Sequence, residues 1–336
     1  MTRASSSSST CSLLNREWDS LLLDVVFEIL DKLLEPADHV RFAAVCKRYH
    51  SLAKDYNQAK RHTRQLPPML LILDQQKTTL VSVSEGKIHD NVELPSPPPS
   101  TWSCYSCGHR WLATVEECTK EGVTIELQHP FRKSSTSIRL PVLKRISLEK
   151  VPTPLRFIDA IFSKNQTYAL CHNAEIVSVN LDSNSYNVPE AKLLTRLKLS
   201  SRYYGRGYLV ESSKGDLLYI ERVLATWKIH GFKVHKVAFG DGDGSVIEQL
   251  LETRSIGDEA LFLDDNHAVS VSVSNFPKCQ RNSIYYSSNI YFSSKNGMCT
   301  SVFNLEDETI TQPYPLKIMQ SHPYGLWIMP SFNGLC

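Results

Sequence analysis

The chain has 336 residues, 42% of them hydrophobic and 21% charged, enough for one large folded domain or for a small one joined to a larger one. A formal net charge of +2 supplies no global field to draw nucleic acid or an acidic membrane surface, so neither is expected as a partner. The 9 cysteines are scattered singly apart from Cys104 and Cys107, which does not suit a secreted disulfide framework.

The opening MTRASSSSSTCS has no apolar run of the secretory type, and no later run approaches the length needed to span a bilayer. An intracellular setting, cytosol or nucleus, is expected. Residues 1–15 form a serine-rich tail with too little apolar surface to order itself. Residues 16–60 then read as helical. Leu22, Val25, Val26, Ile29, Leu30 and Leu33 recur at spacings of three and four, which marks one apolar helix face. Glu35-Pro36 ends that helix, because proline lacks the amide donor and disfavours helix in the residue before it. A second run carries Val40, Ala43, Ala44 and Val45. A third, or a continuation of the second, sets Cys46, Tyr49, Leu52, Ala53 and Tyr56 on one side. Two to three short helices bury little surface by themselves, so their apolar face is expected to need a partner.

Residues 61–68 read as a linker, ended by Pro67-Pro68. The basic run from Lys60 to Arg64 is either a weak nuclear-import signal or a solvated connector. From residue 69 to residue 336 the hydrophobic period changes to two. Short runs such as MLLILD, RWLATVE, GVTIELQHP, GYLVES, DLLYIERV, FKVHKVAF and NSIYYSSN are rich in β-branched and aromatic residues and bounded by Gly, Asn, Asp, Ser or Pro. The expected fold is therefore a small all-α module followed by a large all-β domain. A sandwich or barrel stays open, but about 265 residues suit a β-propeller of blades of roughly 40 to 50 residues. The aromatic pairs Tyr203-Tyr204 and Tyr285-Tyr286 are expected to alternate between core and surface.

Catalytic motifs are missing: no phosphate-binding loop, zinc-protease pair, nucleophile elbow or kinase set is present. CYSCGH offers Cys104, Cys107 and His109 as zinc ligands, but no second pair follows at finger-like spacing, so loop and strand cysteines are expected instead. DGDGSVIEQLLE sets Asp241, Asp243, Ser245 and Glu252 at calcium-loop positions. Val246 stands where the sharp turn needs glycine, so a hairpin loop is expected. No catalytic residue, metal or cofactor is assigned, and the chain is not expected to be an enzyme.

The stretch WDSLLLDVVFEILDKLLEPADHVRFAAVCKRYHSLA resembles an F-box, with Trp18, Leu21, Asp24, Val25, Val26, Ile29 and Leu30 on its first part. Arg41, Phe42, Val45 and Cys46 fall on its second part. Downstream, HPFRKSSTSIRLP, YLVESSKGDLLYIERV, SIGDEALFLDDNHAVSVSVSNFP and VFNLEDETI resemble, in order, plant F-box proteins with a C-terminal KIB-type β domain. The sequence departs from the motif at Leu22, where the family has a helix-opening proline, and at Tyr49, where it has tryptophan. The resemblance implies a substrate receptor of an SCF-type ubiquitin ligase. Leu21, Leu22, Val25, Val26, Ile29 and Val45 would dock on a Skp-family adaptor and through it a cullin–RING scaffold. The domain over residues 69–336 would bind an unknown target protein. The second reading is a scaffold, inhibitor or binding propeller outside any ligase, with a degenerate helical module, and the third is a small-molecule or sugar-binding propeller or an enzyme built from loops.

Overall fold

The computed structural model describes residues 21–33, 35–60, 67–73, 78–84, 86–90, 92, 103–107, 111–118, 122–128, 137–140, 157–172, 175–180, 190–196, 207–225, 228–240, 246–265, 267–274, 276, 278–290, 297–318 and 324–329. Among these residues lie three helices, followed by 21 strands. The chain divides into two compact units, one holding the helices and the other running from Pro68 to Ile328.

In the helical unit, α1 spans Leu23–Lys32, α2 Pro36–Ala43 and α3 Lys47–Lys60. The helical run is shorter at each end than its apolar spacing suggests. Leu22 is the N-cap, and Leu33 is an extended C-cap with φ −79° and ψ 103°. Pro36 opens α2, where its fixed φ suits the first turn and its missing donor costs nothing. Val26, Leu30, Ala43, Tyr49, Ala53 and Tyr56 form the core. Phe27 meets Tyr56 edge-on with centroids 5.4 Å apart, and Phe42 lies 4.9 Å from Tyr49. Polar ties also hold the helices together. The Arg48 guanidinium donates to the Leu21 carbonyl (2.7 Å), the Tyr56 hydroxyl to Asp31 (2.5 Å), and the His39 Nε2–H to the Leu33 carbonyl (2.9 Å).

The strands form five sheets, the blades of a five-bladed β-propeller. Blade 1 orders β21 (Tyr324–Ile328), β1 (Met69–Leu73), β2 (Thr78–Ser82) and β3 (Lys87–His89). Blade 2 holds β4 (Ser103–Cys107), β5 (Trp111–Cys118), β6 (Gly122–Gln128) and β7 (Ile138–Arg139). Blade 3 holds β8 (Phe157–Ser163), β9 (Gln166–Cys171), β10 (Glu175–Asn180) and β11 (Glu190–Arg196). Blade 4 holds β12 (Gly207–Glu211), β13 (Leu217–Ala225), β14 (Lys228–Phe239) and β15 (Ile247–Thr253). Blade 5 has five strands in the order β17 (Ala268–Ser272), β16 (Glu259–Leu263), β18 (Ser283–Ile290), β19 (Gly297–Asn304) and β20 (Ile310–Ile318). Its β16 and β18 run parallel, whereas the other described pairings are antiparallel. Blade 1 takes its β21 from the far end of the chain, with Leu71 opposite Leu326, and this closes the ring.

Contiguous apolar runs arise where a blade is covered on both faces, as blade 4 is. Successive side chains of a strand point to opposite sides. On β12, Tyr208 and Val210 therefore join a core shared with Leu261, Ile284 and Phe303 of blade 5, while Leu209 joins Tyr168 and Leu170 of blade 3. On β13, Leu218 and Ile220 face blade 5, and Leu217 and Tyr219 face blade 3. Burial of each such side chain contributes about 1.5–3 kcal/mol. Tyr203-Tyr204 fall outside the described residues, and the same geometry overturns the expectation for Tyr285-Tyr286. Both are buried, Tyr285 stacked 4.8 Å from Phe262 and Tyr286 edge-on 4.9 Å from Phe232.

The inner edges of the blades meet as β8 with β12, β12 with β17, and β21 with β4. Polar groups stitch several of these strands together. Asp159 on β8 accepts the Ala160 N–H (2.8 Å) and the Leu209 N–H of β12 (2.7 Å). Asp264, following β16, accepts the His267 N–H (2.7 Å) and the Trp327 N–H of β21 (3.2 Å). The Tyr208 hydroxyl donates to the Asp264 carbonyl (2.8 Å) while accepting from Arg222, and the Trp327 indole donates to the Leu263 carbonyl (2.9 Å).

Two outcomes follow from these contacts. Gly207 opens β12 where a Cβ would lie 2.7 Å from the buried Tyr219 ring and 2.9 Å from Leu170, neither of which has room to move. Gly207→Ala should cost about 1–3 kcal/mol and lower the thermal midpoint by several degrees, read by calorimetry. Burial raises the Asp159 carboxyl from 3.8 to about 7, with the Asp264 charge adding to the rise against the two backbone hydrogen bonds. The folded state thus holds a proton that the unfolded chain releases. This group's contribution to stability should fall as pH rises from about 4 to about 7 and stay level above that. Urea midpoints across that range should show the fall in the parent chain and a smaller one in Asp159→Asn.

Candidate partner-docking surface

Helix α1 carries two adjacent apolar stripes, because residues three and four apart share a face. Val26 and Leu30 turn inward and are fully buried. Leu22, Val25 and Ile29 make the neighbouring stripe. Leu22 is 74% exposed, Val25 is 40% exposed and Ile29 is half-buried. Leu23 adds exposed apolar surface at the helix start.

The six residues singled out from the sequence therefore divide. Leu22 and Val25, with half-buried Ile29, lie on one outward stripe. Val45 is 66% exposed on the turn between α2 and α3. Leu21 is half-buried and packs on the module's own core. Val26 is interior, so it can present no surface while the module is folded. Leu23 and exposed Val40 were not singled out; neighbouring apolar residues in the sequence gave the only signal, and it did not say which would face solvent.

The two departures from the F-box pattern acquire a structural meaning. Tyr49 is 3% exposed and packs on Phe42, so the aromatic at this position fastens α2 to α3. Leu22 has φ −62° and ψ 147°, and its carbonyl accepts the first helical N–H, that of Val26, at 3.1 Å. That φ is the value a proline ring imposes.

No helix among the described residues is long and apolar enough to cross a membrane. Among the same residues no cluster of His, Cys, Asp and Glu is arranged to hold a metal ion. Cys104 and Cys107 lie on β4, paired in register with Thr114 and Trp111 of β5, and His109 falls outside the described residues. In the calcium-like segment, Asp241, Asp243 and Ser245 also fall outside them. Its flanks form the β14–β15 hairpin, closed by the Gly240 N–H on the Val246 carbonyl (3.1 Å), as expected. Glu252 stands well along β15, opposite His235 and 3.8 Å from the Lys233 ammonium. His235 is held below its ordinary value chiefly by burial against the Tyr219 ring, 5.7 Å away.

Because its backbone already has a proline-like φ, Leu22→Pro should leave the helical unit intact and stabilise it by about 0.4–1 kcal/mol. Denaturant melts followed by helical circular dichroism would check this, and loss of helix would contradict the cap geometry.

A family model described as KIB1-4 beta-propeller matches residues 147–304, a span that runs from before β8 through β19. No curated protein matches the chain. Among solved structures, a proposed 6-phosphogluconolactonase from Bacteroides uniformis is 11% identical, with a TM-score of 0.36 over 73% of this chain and 82% of that one. TolB from Acinetobacter baumannii is 11% identical, with a TM-score of 0.33 over 84% of this chain and 68% of that one. Similarities this slight say nothing about ligands or activity. The propeller of this chain is similar, over residues 147–304, to the KIB1-4 beta-propeller family.

Proposed function

We propose that this chain is the substrate receptor of an SCF-type ubiquitin ligase, its helical unit docking on a Skp-family adaptor and its propeller binding a target protein. The observation that carries the reading is the outward stripe of Leu22, Val25 and Ile29, left uncovered beside a complete internal core. A module with a finished core and a second apolar stripe suits a helix-packing partner. Each anchor buried in such a contact adds roughly 1.5–3 kcal/mol before ordering costs are subtracted. The chain performs no bond chemistry in this scheme. It raises the local concentration of target lysines near a ubiquitin-charged enzyme held elsewhere in the assembly. The setting is intracellular, with neither membrane nor nucleic acid as partner. A propeller that binds proteins outside any ligase is the second reading, and the match over residues 147–304 is compatible with it as well.

Co-purification of the full chain with a Skp-family adaptor separates the two. The double variant Leu22→Asp/Val25→Asp should abolish adaptor capture while helical content is kept and the thermal midpoint does not fall, aspartate being a favoured residue at the N-cap that Leu22 occupies. Val26→Asp should instead unfold the helical unit, because it buries an unpaired charge. Failure of the parent chain to retain any such adaptor removes the ligase reading.

A further inference from the structure

A cleft of about 520 Å³ opens in the propeller where blade 4 meets the approach to blade 5. Its walls are the turn between β12 and β13, the end of β15, and the connection from β15 into β16. The charged groups lining it are Lys214, Asp216, Lys236, Glu252 and Glu259. Four of the five have a counter-ion. Lys236 lies 2.8 Å from Asp216, Lys214 lies 3.9 Å from Asp258, and Glu252 lies 3.8 Å from Lys233.

Glu259 differs from them. It is 1% exposed, yet no Lys, Arg or His among the described residues pairs with it. Hydrogen bonds hold its carboxylate in place instead. Oε1 accepts the Ser213 hydroxyl (2.9 Å), and Oε2 accepts the Ser213 N–H (3.1 Å) and the Ser270 hydroxyl (2.5 Å). A carboxylate offers about four acceptor positions, so three donors leave one open. A buried charge is ordinarily matched by an opposite one, and this one stands in the wall of an open cleft.

We infer that the cleft binds a cationic group, a primary alkylammonium or guanidinium, seated against Glu259. Such a group supplies both missing components, a counter-charge and a donor for the open position on Oε1. Leu251, exposed at the cleft, offers apolar surface to the methylene stem that carries such a head group. The ligand chemistry is shared by a lysine or arginine side chain on an extended peptide and by a free diamine. The site belongs to the propeller alone and does not rest on adaptor docking, so a chain that never joined a ligase would still have it.

Calorimetric titration of the full chain tests this with three probes: a blocked alanine peptide with one central lysine, the same peptide with glutamine, and cadaverine. Saturable binding is expected for the lysine peptide and none for its glutamine counterpart. Binding tighter for the peptide than for cadaverine assigns the site to a protein side chain, and the reverse order assigns it to a free amine. Glu259→Gln, which removes the charge, should weaken the cation at least about tenfold, the scale of a charge-assisted hydrogen bond. Leu251→Trp, which narrows the cleft and touches none of the bonds to Glu259, should do the same with an unchanged thermal midpoint. If Glu259→Gln does not fold, Leu251→Trp decides alone. Equal binding of lysine and glutamine peptides, no saturable binding of either cation, or parent-like affinity in the folded variants overturns the inference.

Discussion

The pairing of β1 with β21 is the constraint on which the propeller depends. Five sheets radiating from a common centre hold together only if the ring is continuous, and here the continuity runs through one antiparallel ladder, Met69 opposite Ile328 to Leu73 opposite Tyr324. Asp264 and Leu263 reinforce the closure from blade 5, accepting the main-chain and indole N–H groups of Trp327. A residue at the C-terminal end of the ring is thereby tied to its N-terminal strand on one side and to its last blade on the other. The shared apolar cores between blades 3 and 4 and between blades 4 and 5 follow from this arrangement, because closure is what sets neighbouring sheets face to face.

The two units solve opposite problems. The propeller is large enough to cover both faces of its central strands, so it can hold buried polar groups such as Asp159, Glu259 and Asp264 in hydrogen-bonded positions. The helical unit is small. Its six-residue core uses one stripe of α1 and leaves the next one wet. A short chain segment cannot enclose all of its apolar surface, and the remainder is available for recognition.

Much of this was legible in the sequence where periodicity is local. The hydrophobic period changes near Pro67-Pro68, and β1, β5, β6, β12, β13, β14 and β18 match runs read directly from alternation and turn residues. Strands lacking that signal were not picked out. β8, FIDAIFS, mixes a carboxylate and exposed aromatics into an inner strand, and β21, YGLWI, opens next to a glycine. The blade number also escaped, since it depends on pairings between distant segments. Tyr285 and Tyr286 show the limit most clearly, because alternation tells which residues oppose one another but not whether the second face is covered. In the helical module the spacing identified Leu22, Val25, Val26 and Ile29 as one face. Only packing against Tyr56 and Ala53 shows that the face splits between core and solvent.

Ring closure also has a consequence in time. β1 is MLLIL, and four of its five residues are buried once the ring is complete. During synthesis it emerges long before β21, so it must pass most of the chain's elongation with one ladder edge unsatisfied. A short, uncharged, strongly apolar strand with an open edge is the kind of segment that pairs with other chains. That open edge of β1 is an aggregation hazard until β21 has been made and covers it.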